Sequence, residues 1–206
     1  MVENYLVFYI VTDSEAQIHR VIHGARRYEF LLEPADRREL FGGLMSVGAK
    51  IAVVADIHGN LEALKAVLED AFSTGIEIFI CCGDLVDYGP DPNEAVERIR
   101  AEKIPCVLGN HDRAVGEPIP LEAHKTASGR DRSVELACLQ WTREQCTEVT
   151  KAFLRALPPS LLFERDGALG GSKVLVVHAT PDSVDDYLWP DDGEGWQKLH
   201  RATGGY

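Results

Sequence analysis

Three short motifs of aspartate, histidine and asparagine follow one another along this 206-residue sequence. The first holds Asp56 and His58, the second holds Asp84 and Asp87, and the third reads Gly-Asn-His-Asp over residues 109–112. Carboxylate, imidazole and amide groups are the ligands with which proteins bind divalent cations. Because the three motifs supply all of them, they indicate hydrolysis at a centre of two metal ions, which activates water and stabilises developing charge.

The positions of these residues predict distinct roles. Asp56 and His58 are two residues apart, so at a strand end both side chains point to one side and can bind one cation. Asp84 is placed to bridge two ions, and Asn110 adds a neutral oxygen ligand. His111 is adjacent and need not bind metal, so it can protonate a leaving oxygen. Mn²⁺ is the expected metal, with Fe, Zn, Ni or Mg as alternatives.

The elements that must position the motifs alternate between strand and helix. Apolar runs predict short buried strands, each ending at a motif, over residues 49–55, 76–82 and 104–108. Helices are predicted between them over residues 61–72 and 92–102, the second opening with a proline. This alternation predicts a largely parallel sheet covered by helices. Any one motif could be structural, but three in order at strand ends favour a metal site.

Beyond residue 113 the pattern becomes mainly helical, with helices predicted over residues 121–127, 133–147 and 149–157. The side chains of the second helix that we expect to face inward are Leu136, Leu139 and Trp141. Two further strands, joined by a glycine-containing turn, are predicted over residues 161–165 and 173–178. The last stretch, residues 183–206, is acidic and glycine-rich and shows no clear periodicity.

Composition excludes some classes of function. The formal net charge of −12 argues against a large nucleic-acid interface, which requires clustered Lys and Arg. No apolar stretch approaches the ~20 residues that cross a bilayer, so no membrane span is expected. We expect a cytoplasmic protein whose thiols are reduced, because no CxxC spacing relates the five cysteines, Cys81, Cys82, Cys106, Cys138 and Cys146. The oligomeric state stays open.

The array Asp-x-His, Gly-Asp-x-x-Asp and Gly-Asn-His-Asp resembles the calcineurin-like metallophosphoesterase superfamily. The likeness extends over residues 50–189, and residues 56–64 and 83–90 are similar to small prokaryotic phosphoesterases. It implies an α/β fold, a four-layer α/β/β/α sandwich, and hydrolysis of small phosphate mono- or diesters by a hydroxide bound to two divalent metals.

The resemblance also implies a role for each site residue. The first metal would be held by Asp56, His58 and Asp84. The second would be held by Asp84, Asn110 and His178, although a satisfied structural histidine is the alternative at the last position. His111 would be the general acid, oriented by Asp112. Asp87 would support the site from behind.

The chain departs from the family pattern in its C-terminal part. The family continues with a Gly-His-x-His motif that gives one histidine to each metal, and this motif is absent here. We therefore expect an incomplete second sheet and a C-terminal truncation. The alternative function is a catalytically impaired member that binds a metal or a partner without turnover, or a non-functional gene fragment.

The first residues look different from the rest. Residues 5–11 and 17–23 predict a hairpin, and residues 1–32 resemble the C-terminal part of RelE/ParE-type toxins. We therefore expect an appendage and linker over residues 1–44 and a metallophosphoesterase domain over residues 45–206. The alternative is an ordinary N-terminal hairpin packed on the sheet edge, or a remnant that binds a partner.

Overall fold

The computed structural model describes residues 5–11, 16–23, 51–76, 78–118, 120–121, 131–165, 172–188 and 192–203. Its first two strands, β1 (Tyr5–Val11) and β2 (Ala16–His23), form the predicted antiparallel hairpin. β1 also lies next to the first strand of the main sheet, as the packed-hairpin alternative expects. The toxin likeness and the boundary at residue 44 stay predictions, and the linker lies outside the described residues.

The main sheet is built on two parallel strands, β3 (Ile51–Val54) and β4 (Ile78–Cys81). The predicted third strand is present as a single bridge between Cys81 and Cys106. Hydrogen bonds on both sides of this bridge join Cys81 N–H to the Pro105 carbonyl and Val107 N–H to the Cys81 carbonyl, at 2.8 and 3.0 Å. The ladder does not extend further, because Pro105 has no N–H and the next N–H that would face β4, that of Gly109, donates to the Asp112 carboxylate.

Two helices connect and cover this sheet. Helix α1 (Leu61–Ser73) begins at Asn60, whose side-chain oxygen accepts the N–H of Ala63 at 3.0 Å. Helix α2 (Pro92–Ala101) begins with a proline, which needs no N–H partner in the first turn. Both follow the predicted bounds closely.

The remaining elements are α3 (Asn110–Gly116), α4 (Arg132–Gln145), α5 (Glu148–Ala156), β5 (Ser160–Arg165), β6 (Ser172–Val177) and α6 (Gly193–Thr203). Strands β5 and β6 pair antiparallel as the predicted hairpin. Helices α3 and α6 were not predicted, because α3 is only seven residues long and α6 opens in a glycine-rich stretch. The helix expected over residues 121–127 lies almost entirely outside the described residues.

Two apolar layers hold the elements together. One face of the sheet packs against the helices through a large buried cluster that includes Leu64, Leu68 and Ile99. The other face packs against the β5–β6 hairpin through Ile80 and Val176, with their neighbours. The helix–sheet–sheet order confirms the predicted α/β sandwich class with an incomplete second sheet.

Three side-chain expectations can be compared directly. Leu139 is fully buried, as predicted, and Leu136 is partly buried. The inward orientation predicted for Trp141 was wrong, because its side chain is 41% exposed and faces an open groove.

All five cysteines are free thiols. Within the described ranges, no helix is long and apolar enough to cross a membrane.

Candidate metal centre

The first two motifs are joined by backbone hydrogen bonds between the loops that follow β3 and β4. The N–H groups of Asp56, His58 and Gly59 donate to the carbonyls of Gly83, Asp84 and Leu85, at 3.1, 2.9 and 2.8 Å. These bonds tie the two loops to each other beyond the ends of the strands. They hold the first two motifs side by side at the carboxyl ends of the strands, where α/β folds place their chemistry.

The third motif joins them through a glycine contact and a side-chain bond. A Cβ on Gly109 would lie 2.0 Å from Oδ1 of Asp84, and a Cβ on Gly83 would lie 2.6 Å from the Gly109 nitrogen. The backbone N–H of His111 donates to Oδ1 of Asp84 at 2.9 Å. Only glycine permits this approach, so both glycines bring the loops around Asp84 into one site.

Several site residues adopt left-handed backbone conformations that side chains disfavour. Among the described residues, the non-glycine positions with positive φ in the motif loops are Asp56, His58, Asp84, Asp87 and Tyr88, with φ between 48° and 78°. Such conformations cost about 1–3 kcal/mol each and persist where the surrounding structure enforces them. Their concentration in the motif loops supports a functional site there.

His58 turns its Nε2 atom toward two carboxylates. Its Nδ1 lies 3.0 Å from the Val86 carbonyl, which can only accept a hydrogen bond, so Nδ1 carries the proton. Its Nε2 lies 3.7 Å from Asp56 Oδ1 and 3.8 Å from Asp84 Oδ2. These separations leave room for an ion between ligand atoms and are too long for hydrogen bonds.

His178 has a similar arrangement next to Asp84. Its Nδ1 lies 2.7 Å from the Cys82 carbonyl, which again fixes the proton on Nδ1. Its Nε2 lies 3.0 Å from Asn110 Oδ1 and 3.4 Å from Asp84 Oδ2. A backbone carbonyl behind each ring is how proteins orient histidine ligands toward a metal.

The hydrogen bonds of His111 and Asp112 differ from the roles that we predicted. The Nδ1 of His111 lies 2.7 Å from Asp87 Oδ2, so Asp87 orients this imidazole. The carboxylate of Asp112 is fully buried and accepts backbone N–H groups at 2.8–3.3 Å, from Asp84, Leu85, Val86 and Gly109. Asp112 therefore holds the second loop against the third, and the predicted positions of these two aspartates are exchanged.

The electrostatics of the site reflect its buried carboxylates. Burial would lower the pKa of His178, but the hydrogen bond and charge of Asp84 outweigh it and raise this pKa to about 9. The same balance applies to His111. Burial would lower the pKa of His111, but the hydrogen bond to Asp87 and the charges of Asp84 and Asp87 raise it. Burial and the charge of Asp84 raise the pKa of Asp56. Carboxylates that stabilise the protonated form of the neighbouring histidines give the site a negative potential, and this potential attracts cations.

Two residues outside the motifs also contact the site. The Tyr187 hydroxyl donates to Asn110 Oδ1 at 3.0 Å, although the Tyr187 side chain is 53% exposed. In the same segment, Asp185 accepts a hydrogen bond from Arg113 Nη2 at 2.7 Å. Neither contact could be predicted from the sequence, because each joins two segments more than 70 residues apart and no sequence motif relates them.

The residues present fit a divalent cation. One ligand atom from each of His58, Asp84 and His111 falls within 4.8 Å of the others. The Nε2 atom of His178 adjoins the same carboxylate of Asp84, Asn110 Oδ1 lies beside that Nε2, and Asp56 lies beside His58. The structure thus brings together all five sequence-predicted metal ligands and His111, with Asp87 behind His111 and Asp112 beneath the loops. Imidazole with carboxylate and amide oxygen is a donor set that suits Mn²⁺, Fe and Zn²⁺.

Comparison with known proteins agrees with this geometry. The family model for calcineurin-like phosphoesterases matches residues 49–204. The chain belongs to that family, whose members are metal-dependent phosphoester hydrolases.

Individual relatives share the match. An uncharacterized protein of Methanocaldococcus jannaschii is 38% identical over 147 residues, which is 70% of this chain and 56% of that protein. The crystal structure of a metallophosphoesterase from Sphaerobacter thermophilus is 32% identical with a TM-score of 0.50, covering 68% of this chain and 50% of that one.

A hypothetical protein from Pyrococcus horikoshii OT3 has a TM-score of 0.62 at 24% identity, over 76% of this chain and 66% of that one, and shows the fold alone. The chain thus spans about half to two thirds of the length of these relatives.

Proposed function

We propose that this protein hydrolyses phosphate mono- or diesters with the help of two divalent cations. The observation that carries the proposal is the placement of His58 and His178 around Asp84. Each ring has its Nδ1 fixed by a backbone carbonyl and its Nε2 directed at the same carboxylate. A purely structural role does not explain why two histidines share this arrangement around one buried aspartate.

The ligand sets follow from these contacts. Asp56, His58 and Asp84 would hold one cation, and Asp84 would share the second with Asn110 and His178. Bound there, the cations would supply Lewis-acid stabilisation of the phosphoryl charge and lower the pKa of the attacking water.

The remaining residues act on the substrate and on one another. His111, whose pKa is raised by Asp87 and Asp84 against the opposing effect of burial, donates its proton to the leaving oxygen. Asp87 keeps that ring in place through the 2.7 Å bond to Nδ1. Asp112 keeps the second and third loops in register, so it contributes by positioning Asp84.

The test is hydrolysis of bis(4-nitrophenyl) phosphate and 4-nitrophenyl phosphate by purified protein with added Mn²⁺. We expect turnover that is lost by at least 100-fold in Asp84→Asn and His111→Ala, and kept in Asp182→Asn, whose carboxyl is exposed. Metal content by mass spectrometry accompanies the assay. Two bound ions without any turnover would instead support the alternative, a metal-binding member of the family that has lost its chemistry.

A further inference from the structure

An open groove of about 640 Å³ adjoins the candidate metal centre. One wall is a face of α4, on which Val134, Ala137, Cys138 and Trp141 recur at helical spacing. Val134 is 58% exposed and Trp141 is 41% exposed. An exposed concave surface that concentrates apolar side chains next to a reactive site indicates a ligand-binding site.

Tyr88 connects this groove to the catalytic residues. It is one of the residues outside α4 that line the groove. Its ring centroid also lies 4.9 Å from that of His58 and 5.1 Å from that of His111. The groove therefore begins one aromatic ring away from the imidazoles of the site.

The position of His111 determines which part of a substrate meets the groove. His111 donates its proton to the leaving oxygen, so the group attached to that oxygen extends away from the phosphorus on the His111 side. The Tyr88 ring lies beside His111 and also lines the groove. A leaving group longer than a few atoms consequently reaches the groove.

We propose that the groove binds a planar aromatic ring in the leaving group of the phosphoester. This inference rests on the proposed function. The described residues that line the groove are all uncharged, and include the aromatic rings of Tyr88 and Trp141. Such a lining suits a neutral aromatic ring, which stacks on these rings, and offers nothing to the charges of a polyphosphate or an acidic peptide.

The experiment measures binding without turnover. Calorimetric titration of the Mn²⁺-supplemented protein compares 3-phenylpropylphosphonate with propylphosphonate, which share the phosphonate group and a linker and have no hydrolysable ester bond. We expect 3-phenylpropylphosphonate to bind about 5–10-fold more tightly, the range of one aromatic contact. The preference falls to twofold or less in Trp141→Ala and in Val134→Ser. Val149→Ser, a control at an equally exposed position on α5, keeps the preference.

Each outcome has a defined meaning. Equal affinity for the two phosphonates, a preference unchanged in Trp141→Ala, or no binding of 3-phenylpropylphosphonate would overturn the inference. A change from dimer to monomer in Trp141→Ala without a change in preference would assign the groove to self-association and also overturn it. Preferential phenyl binding in a protein that hydrolyses nothing would keep the groove and refute the proposed function, and turnover without the preference would do the reverse.

Discussion

His111 and Asp87 are joined by a 2.7 Å contact between the imidazole Nδ1 and the carboxylate Oδ2. The other oxygen of Asp87 accepts hydrogen bonds from the Tyr88 N–H at 2.8 Å and the Thr142 hydroxyl at 3.3 Å. The second motif thus orients the acid of the third, and α4 supports it from behind. This relation assigns functions to Asp87 and Asp112 that separate variants can distinguish.

Replacing Asp87 by asparagine is expected to change catalysis more than stability. The charge that raises the pKa of His111 is lost, so this pKa falls and the protonated acid disappears at lower pH. The alkaline limb of the kcat profile moves to lower pH, and kcat at neutral pH drops by about 10–100-fold. The measurement is a pH–rate profile beside that of Asp182→Asn. An unchanged alkaline limb would contradict the assignment.

Replacing Asp112 by alanine is expected to change stability first. The change leaves the buried backbone N–H groups that its carboxylate accepts without that partner. Each such loss costs about 1–3 kcal/mol, and partial relaxation brings the expected total to about 3–5 kcal/mol. Urea unfolding measures it, with the exposed Asp182→Ala as control. A stability equal to that of the control would mean that Asp112 acts in the chemistry alone.

Metal affinity is expected to rise with pH. The pKa of His178 is raised to about 9 in the folded protein, while its ordinary value is 6.5. At pH 7 a cation must displace a proton from this ring, and near pH 9 it need not, so apparent Mn²⁺ affinity increases up to tenfold per pH unit in between. Calorimetry in buffers of different ionisation enthalpy measures the released proton. His178→Asn should remove that proton, and an equal release from this variant would disprove the assignment.

The same raised pKa predicts how the metal-free protein responds to pH. The folded state binds the proton on His178 more tightly than the unfolded state, so this contribution to stability is complete below pH 6.5. It is lost as pH rises through about 9. Thermal unfolding in the presence of a chelator, between pH 6 and 9.5, should show a falling Tm that is flatter in His178→Asn. A parallel fall in both proteins would exclude His178 as the cause.

Replacing Tyr187 by phenylalanine tests a contact that no motif contains. Its hydroxyl donates to Asn110 Oδ1, so its loss lets this amide rotate away from the site. We expect activity to fall by about 5–10-fold, the value of one neutral hydrogen bond, with stability little changed because the side chain is half exposed. Steady-state kinetics and thermal unfolding together decide the matter. Full activity in the variant would show that the Tyr187 hydroxyl is not needed to hold Asn110.

Gly109 offers a test of the loop packing itself. An alanine at this position would place its Cβ 2.0 Å from Asp84 Oδ1 and 2.3 Å from the Asp84 nitrogen. Neither neighbour can move, because Asp84 is buried and its N–H is bonded to Asp112. We expect loss of metal binding and a stability loss of about 3 kcal/mol or more. Gly193→Ala, which meets nothing within 4 Å, is the control.

The sequence predicted those parts of the molecule that depend on local order. Short apolar runs ending at Asp56 and Asp84 predicted the parallel strands, and two apolar runs joined by a glycine-containing turn predicted the β5–β6 hairpin that ends before His178. These features follow from local sequence order and from where parallel strands end.

Other features depend on contacts between distant segments and had no such signal. Whether His111 bonds to Asp87 or to Asp112 is decided by the packing of loops whose contacts join residues 24 to 28 positions apart. The exposed position of Trp141 on the groove wall depends on how α4 packs against the rest of the fold. Tyr187 reaches Asn110 across 77 residues of sequence, so only the folded chain reveals it.

The left-handed backbone at Asp56 sets folding and function against each other. A glycine there would adopt the same φ of 55° without steric penalty, and would relieve about 1 kcal/mol, while removing a metal ligand. Directed evolution that selects only for heat resistance would therefore erode this site, and its ligands would survive only under simultaneous selection for turnover. A thermostable variant with glycine at position 56 would show that stability had been selected without turnover.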